Sequence, residues 1–254
     1  MSCCTLTLGL YMLLYKTTFK LFLLLLSTHA NAGLTVLTEL SPPYQTIENN
    51  EVKGITTEIV QAIFKQAQLT PQFKLYPWAR SYKLALNNPN SFIYSIGRTP
   101  EREDKFIWLV PVAKFKLGFV KLSSRTDIKI NTLEDAKKWI IAAQRNDMAT
   151  QYLERKGFNK ANHLILTTDI QNSWQLLLGG KVDLVVDVKS AVPITAKSIQ
   201  LPSNHLTYEY AIAELEIEGY LAANKNTSPA IITQVEAAIA VVLQSALYQK
   251  AYHQ

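Results

Sequence analysis

Ser95-Ile96-Gly97-Arg98-Thr99-Pro100-Glu101-Arg102 follows the short apolar run Phe92-Ile93-Tyr94 and governs how that run is read. The run has the length of a buried strand, and Pro100, with no N–H to donate, keeps it from continuing. Two guanidiniums and a hydroxyl are thus gathered just beyond a strand end, where open α/β sheets collect their ligands. Arg is shaped to hold a carboxylate by two parallel hydrogen bonds. The octapeptide therefore reads as an anion clamp for a small carboxylate. The alternative is a surface turn in which Arg98, Glu101, Arg102 and Glu103 pair in water at little energetic gain. On its own the octapeptide leaves both open.

Outward from this turn, short apolar runs alternate with helix-period segments, the pattern of βαβ units around a largely parallel sheet. Upstream, Leu34-Thr35-Val36-Leu37 reads as a strand, and Ile55, Ile59, Ile63, Phe64 and Ala67 share one helical face after Gly54. Phe73 to Tyr76 reads as the next strand. Pro77 then suits the first position of a helix through Trp78, Arg80, Tyr82 and Leu86. Phe106-Ile107-Trp108 follows the clamp. Downstream the rhythm restarts near Thr132. Trp139 to Ala143 reads as a buried strand, Asp147 as the cap of a helix carrying Met148, Tyr152 and Leu153, and Gly157 as its stop. Leu164 to Leu166 is a strand; Ile170, Trp174, Leu177 and Leu178 line a helix closed by Gly179-Gly180, and Val182 to Val186 is the last strand of this half. The two βαβαβ halves are similar in length but share no visible repeat. Ser228-Pro229 opens a long amphipathic helix with Ile232, Val235, Ile239, Val242, Leu243 and Ala246 on its apolar face, which needs the first half as partner. The chain then crosses between halves twice, at Leu117-Gly118-Phe119 and Glu218-Gly219-Tyr220. Glycine at both suits a hinge, or merely breaks a strand.

Residues 1–32 read as a leader. Lys16 and Lys20 precede the apolar run Leu21 to Leu26, and Ala30-Asn31-Ala32 offers small residues for cleavage after Ala32. Met12 begins a signal peptide of more ordinary shape than Met1 does. Cys3 and Cys4 fall inside this leader, so the mature chain carries no thiol, disulfide or cysteine-based metal site. Its roughly 220 residues are enough for one large domain or two lobes. Losing the two lysines takes the formal charge from +6 to +4 without any basic run, so nucleic acid is not indicated as a partner.

No phosphate-cradling glycine loop, zinc helix or nucleophile elbow is present. His163, His205 and His253 are scattered, without Cys or carboxylate neighbours at ligand spacing. No metal, cofactor or catalytic residue is assigned. These absences favour a protein that binds over one that reacts.

The mature chain resembles the family-three extracellular solute-binding proteins, periplasmic receptors of polar amino-acid ABC importers. The resemblance is carried by Ser41-Pro42-Pro43-Tyr44, Gly54, Tyr76-Pro77-Trp78-Ala79-Arg80, Thr99-Pro100-Glu101-Arg102, Val182-Asp183-Leu184-Val185 and Tyr248-Gln249-Lys250-Ala251-Tyr252. It implies an α/β, two-lobed type II periplasmic-binding fold, each lobe a mostly parallel sheet flanked by helices. Lobe 1 is residues 33–117 plus 220–254, lobe 2 residues 118–219, joined by two hinge crossings. It further implies that Arg102 takes a ligand carboxylate, that Tyr44 packs on the ligand, and that Arg145-Asn146-Asp147 presents a helix N-terminus. Asp147 works against anion binding there unless its side chain is spent on capping.

Two departures from the family pattern follow. Gly97 stands where a hydroxyl residue is common five positions before the arginine, so Arg98 is the substitute donor. The usual acid for an amino group falls on Val188, with Asp187 one residue early and so turned to the other face. A carboxylate ligand is expected; its α-amino group is left in question. Thr99 and Ser95 are further ligand candidates. Trp78 either stacks on ligand or belongs to the core or the lobe boundary. Arg80 either joins the clamp or pairs with an acid. Trp108, Trp139 and Trp174 read as core, and Asp183 as the opening of a buried strand.

The expected function is a monomeric periplasmic binding protein, not an enzyme, that captures a small polar carboxylate and presents it to an inner-membrane ABC permease. An enzyme on the same fold, dehydratase-like on a cyclic carboxylic acid, would need a tuned acid or base in the cleft. A sensor docking on a membrane receptor is the third reading.

Overall fold

A computed structural model of the chain describes residues 33–198 and 200–252, without the side chain of Ser203. The expected leader, with Cys3 and Cys4, lies outside the described residues. The first half contains strands β1 (Thr35–Thr38), β2 (Thr46–Glu48), β3 (Glu51–Lys53), β4 (Gln72–Leu75), β5 (Ser91–Gly97) and β6 (Phe106–Leu122), with helices α1 (Ile55–Gln66) and α2 (Trp78–Asn87). The second contains β7 (Ile141–Gln144), β8 (Leu164–Thr167), β9 (Leu184–Val188) and β10 (Leu206–Asn224), with α3 (Met148–Arg155), α4 (Ile170–Leu178) and α5 (Val192–Ser198). Helices α6 (Pro229–Val242) and α7 (Ala246–Tyr252) close the chain. Among the described residues no single helix is long and apolar enough to cross a membrane.

Eight strands form one sheet in the order β4-β1-β5-β10-β6-β9-β7-β8. The flanks β4-β1-β5 and β9-β7-β8 are parallel. At the centre β10 runs antiparallel to both β5 and β6, and β6 antiparallel to β9. Each half contributes its own parallel flank, as expected, and the long strands β6 and β10 join the two flanks into one sheet. A strand rises about 3.3 Å per residue, so each spans roughly 55–65 Å and can serve a different flank at each end. Residues 219–223 of β10 pair with β5, whereas residues 117–120 of β6 pair with β9. Between these ends the β6–β10 register shifts between Ala211 and Glu216. The sequence pattern shows Phe106-Ile107-Trp108 of β6 and no strand at β10, because exposed Lys114 and Lys116 interrupt the first and exposed Glu214 and Glu216 the second.

Gly118 lies inside β6 and Gly219 inside β10. At Gly118 a Cβ would run into the Tyr210 carbonyl and the Tyr208 ring. Close approach of backbone and aromatic ring accounts for this glycine without any left-handed backbone.

The first flank is packed by Val36, Ile59, Ile63, Phe64, Phe92 and Tyr94 against Val235, Ile239 and Val242 of α6, so the apolar face of that helix meets the first half. The expected single long helix is two: α6 ends at Val242, and α7 leaves at 84° with Ser245 Oγ accepting from Tyr248 N at 3.2 Å. In the second flank the strand alternation of β9 decides what faces what. Val186 and Val188 join the cluster of Ile141, Leu153, Phe158 and Leu164. Val185 joins the opposite one, with Ile170, Trp174, Leu177 and Val192. Trp174 is core, while Trp108 and Trp139 are only half-buried, a correction to the reading of all three as core. Asp183 is structural, holding Arg125 Nη1 at 2.6 Å and the Ile140 N–H at 2.9 Å.

Candidate functional site

A cavity of about 60 Å³ lies where the carboxyl ends of β1, β5, β7 and β9 converge. Glu39, Leu40 and Ser41 reach it from the end of β1, Ser95 and Gly97 from β5, Gln144, Asp147 and Met148 from the β7–α3 junction, and Val186, Asp187 and Val188 from β9. Trp78 and Phe115 add aromatic wall, and Arg102 supplies the guanidinium.

Arg102 is only 2% exposed. The turn after β5 carries it inward, its N–H donating to the Thr99 carbonyl at 2.9 Å. The guanidinium carbon lies 4.9 Å from the Trp78 ring centre and 5.3 Å from that of Tyr82. Nη1 donates to the Gly97 carbonyl at 3.2 Å. Nε and Nη2 are buried without a partner. These two form one edge of the guanidinium, the edge that takes both oxygens of a carboxylate. An unpartnered buried donor costs about 1–3 kcal/mol, more when charged, so the fold holds this edge at a cost. A hydroxyl side chain at Gly97 would require Met148 and Ile217 to move, because a Cβ there would lie 2.5 Å from Met148 Sδ and 2.7 Å from Ile217 Cδ1.

Three carboxylates line the cavity with this cation, and two of them, Asp147 and Glu39, feel its charge. Asp147 caps α3, its Oδ1 accepting from Met148 N at 2.6 Å and its Oδ2 from Ala149 N at 3.3 Å. Burial raises its pKa, opposed by Arg102 and those two N–H groups. Burial, then the charge of Asp147, pushes Glu39 up to about 8, against the Gln144 side chain and Arg102. Asp187 is buried and pushed up to about 7 by desolvation, although Val188 N donates to it at 2.6 Å and Trp174 Nε1 at 2.9 Å. Arg102 itself is lowered by burial, with Asp147 the main opposing charge. Among the described residues no group of three His, Cys, Asp or Glu is arranged to hold a metal ion. The acids are thus spread around the cavity, suited to separate hydrogen-bond donors on one small molecule.

A polar cluster completes the wall. Ser95 has a left-handed φ of 58°, donates to Thr56 Oγ1 at 3.2 Å and accepts from the Gln45 side chain. A non-glycine residue in that conformation marks backbone held in place by its surroundings.

The sequence pattern of the bacterial extracellular solute-binding proteins, family 3, matches residues 34–254. The chain belongs to that family. No individual curated protein matches it. Among solved structures it is similar to a histidine kinase sensor domain with similarity to periplasmic binding proteins, with TM-score 0.74 and 17% identity over 86% of this chain and 93% of that one. An ancestral arginine-binding protein bound to glutamine gives 0.72 and 18%, over 89% and 98%. The substrate binding protein of an amino acid ABC transporter gives 0.69 and 16%, over 86% and 97%. These likenesses establish the two-lobed periplasmic-binding fold. Family and neighbours are binding proteins, not enzymes.

In this family 3 protein the nine residues expected at the site separate. Arg102, Ser95, Trp78 and Asp147 line the cavity. Arg98 lies on the surface, pairing with Glu103 and lying 5.5 Å over the Trp108 ring, so it supplies no donor to the site. Half of the surface-turn reading therefore holds, Arg98 outside and Arg102 inside. Thr99 forms the turn that delivers Arg102 but does not line the cavity. Arg80 is exposed and stacks 4.0 Å over Tyr76. Arg145 is exposed, while its neighbour Asn146 turns its carbonyl to Trp78 Nε1 at 2.9 Å. Tyr44 packs edge-on behind Phe115 at 5.0 Å, and its hydroxyl meets the Lys114 carbonyl at 3.1 Å and Ser190 Oγ at 2.9 Å. It thus supports the wall from behind.

Glu39, Gln45 and Gln144 are site residues that the sequence reading does not name, and Met148 stands in it only as a helix residue. Glu39 and Gln144 each mark the carboxyl end of a parallel strand, the signal that could have found them. Asp187 lies on the face of β9 opposite Val188, that of Val185 toward α4, and at the strand end it still reaches the cavity.

Proposed function

We propose that this family 3 protein is a periplasmic receptor for an α-amino-acid-like solute, which it captures by hinge closure and presents to an ABC permease. One observation carries the reading: a buried guanidinium with a free two-donor edge opens into a cavity that also holds three carboxylates. A simple anion would satisfy Arg102 but leave the buried acids Glu39, Asp147 and Asp187 without a cation or donor. A zwitterion satisfies both signs, its carboxylate on Arg102 and its ammonium among the acids. The neighbouring ancestral arginine-binding protein, bound to glutamine, supports this choice of ligand class.

In this reading the lobes are residues 33–117 plus 220–254 and residues 118–219, the β6–β10 pair is the hinge, and the protein acts as a monomer. Trp78–Asn146 at 2.9 Å, Tyr44–Ser190 at 2.9 Å and Glu101–Arg155 at 2.9 Å are the contacts that hold the lobes shut. Residues 1–32 direct export and are cleaved after Ala32.

The test is a thermal-shift screen of the mature protein against polar metabolites. Amino acids should raise Tm; Arg102→Ala should abolish the shift and Arg98→Ala should leave it intact. A shift that survives Arg102→Ala refutes the assigned clamp. The sensor-domain neighbour favours one second reading, docking on a membrane receptor. Affinity capture from membranes with ligand present separates the two by whether a permease or a receptor is retained.

A further inference from the structure

Beside the ligand cavity lies a second one of about 220 Å³, against about 60 Å³ for the first. Leu40, Ser41, Ile170 and Asp187 border both, so the two adjoin around Asp187. Trp174, Leu178 and Thr195 line the larger one on the helical side of the second flank. Its wall is mainly apolar, and among the described residues Asp187 is the sole charged one on it. The register of β9 explains the placement: Asp187 is two residues on from Val185 and shares its face toward Trp174.

Asp187 is 6% exposed and has no ion-pair partner among the described residues. Its oxygens accept one N–H each, from Val188 and Trp174, whereas a carboxylate offers about four acceptor positions. Desolvating a carboxylate without a cation is costly. An apolar chamber with one uncompensated acid and one tryptophan at its mouth suits a cation carried on an apolar stem.

We propose that the second cavity is a subsite for the cationic side chain of the bound solute, with Asp187 as its counter-charge and Trp174 and Leu178 flanking its stem. This rests on the amino-acid reading above and narrows it to solutes with a distal ammonium or guanidinium. The main chain of the solute stays at Arg102, and the side chain passes Asp187 into the larger chamber.

Isothermal titration with L-arginine, L-lysine, their neutral counterparts L-citrulline and L-norleucine, and glycine tests it. The wild-type protein should bind arginine or lysine at least tenfold more tightly than the neutral counterpart, because a site built around a charge rejects the analogue lacking it. Asp187→Asn should erase that preference. Thr195→Trp, filling the chamber from α5, should weaken the long cations and leave glycine unchanged, with circular dichroism checking that both variants fold. Equal binding of charged and neutral side chains, or a preference that survives Asp187→Asn, overturns this inference. If amino acids still bind in an Arg102-dependent manner, the broader reading stands without it. If none of the five binds while another amino acid does so in an Arg102-dependent manner, only this inference falls; if no amino acid binds, both fall.

Discussion

Replacing Glu39 by Gln removes a carboxylate that ionises against its surroundings, and the ligand-free variant should keep its stability at alkaline pH where the wild type loses it. Burial is the main cause and Asp147 the second; together they carry the group from 4.5 to about 8. Because the folded pKa is raised, the folded state favours the protonated acid. Its contribution is complete below about 4.5 and is lost as pH rises through about 8. Each pH unit inside that window costs about 1.4 kcal/mol, a ceiling of about 5 kcal/mol by pH 8. For a domain of this size that amounts to roughly 10–20 °C in Tm. Gln is nearly isosteric and does not titrate, so it carries no such slope. The assay is thermal or urea denaturation of both proteins without ligand, from pH 4.5 to 9. The two curves should coincide at the acid end and diverge upward, the variant becoming the more stable. Parallel curves across the whole range would refute the argument, because they would mean that Glu39 ionises as freely folded as unfolded.

Trp78→Phe keeps the aromatic wall but deletes the indole N–H given to the Asn146 carbonyl, so ligand affinity should fall about five- to tenfold, near the 1–1.5 kcal/mol of one hydrogen bond; titration calorimetry reads it, and unchanged affinity would remove this contact from the closing of the lobes. Gly118→Ala should destabilise the fold by about 1–3 kcal/mol, because the added methyl meets the Tyr210 carbonyl and the Tyr208 ring; an unaltered urea midpoint would show that the β6–β10 pair yields more easily than its packing implies.

Sequence alone determined the elements whose physics is local. The parallel flanks were legible because short apolar runs alternated with helical periods, and helix ends because Asp147 caps α3 and Gly157, at φ 86°, stops it. Arg102 was legible because a strand end, a proline and a guanidinium stand within one turn. What only the tertiary structure decided depends on contacts distant in the chain. Arg98 and Arg102 differ by four residues and are chemically alike; Glu103 draws one to the surface, and the Trp78 and Tyr82 rings enclose the other. Joining both flanks through β6 and β10 required pairing residues about a hundred positions apart, which no local pattern encodes. The charge of the site was hidden for the same reason. Glu39, Asp147 and Asp187 lie far apart in sequence, and only the convergence of three strand ends brings them to one cavity with Arg102.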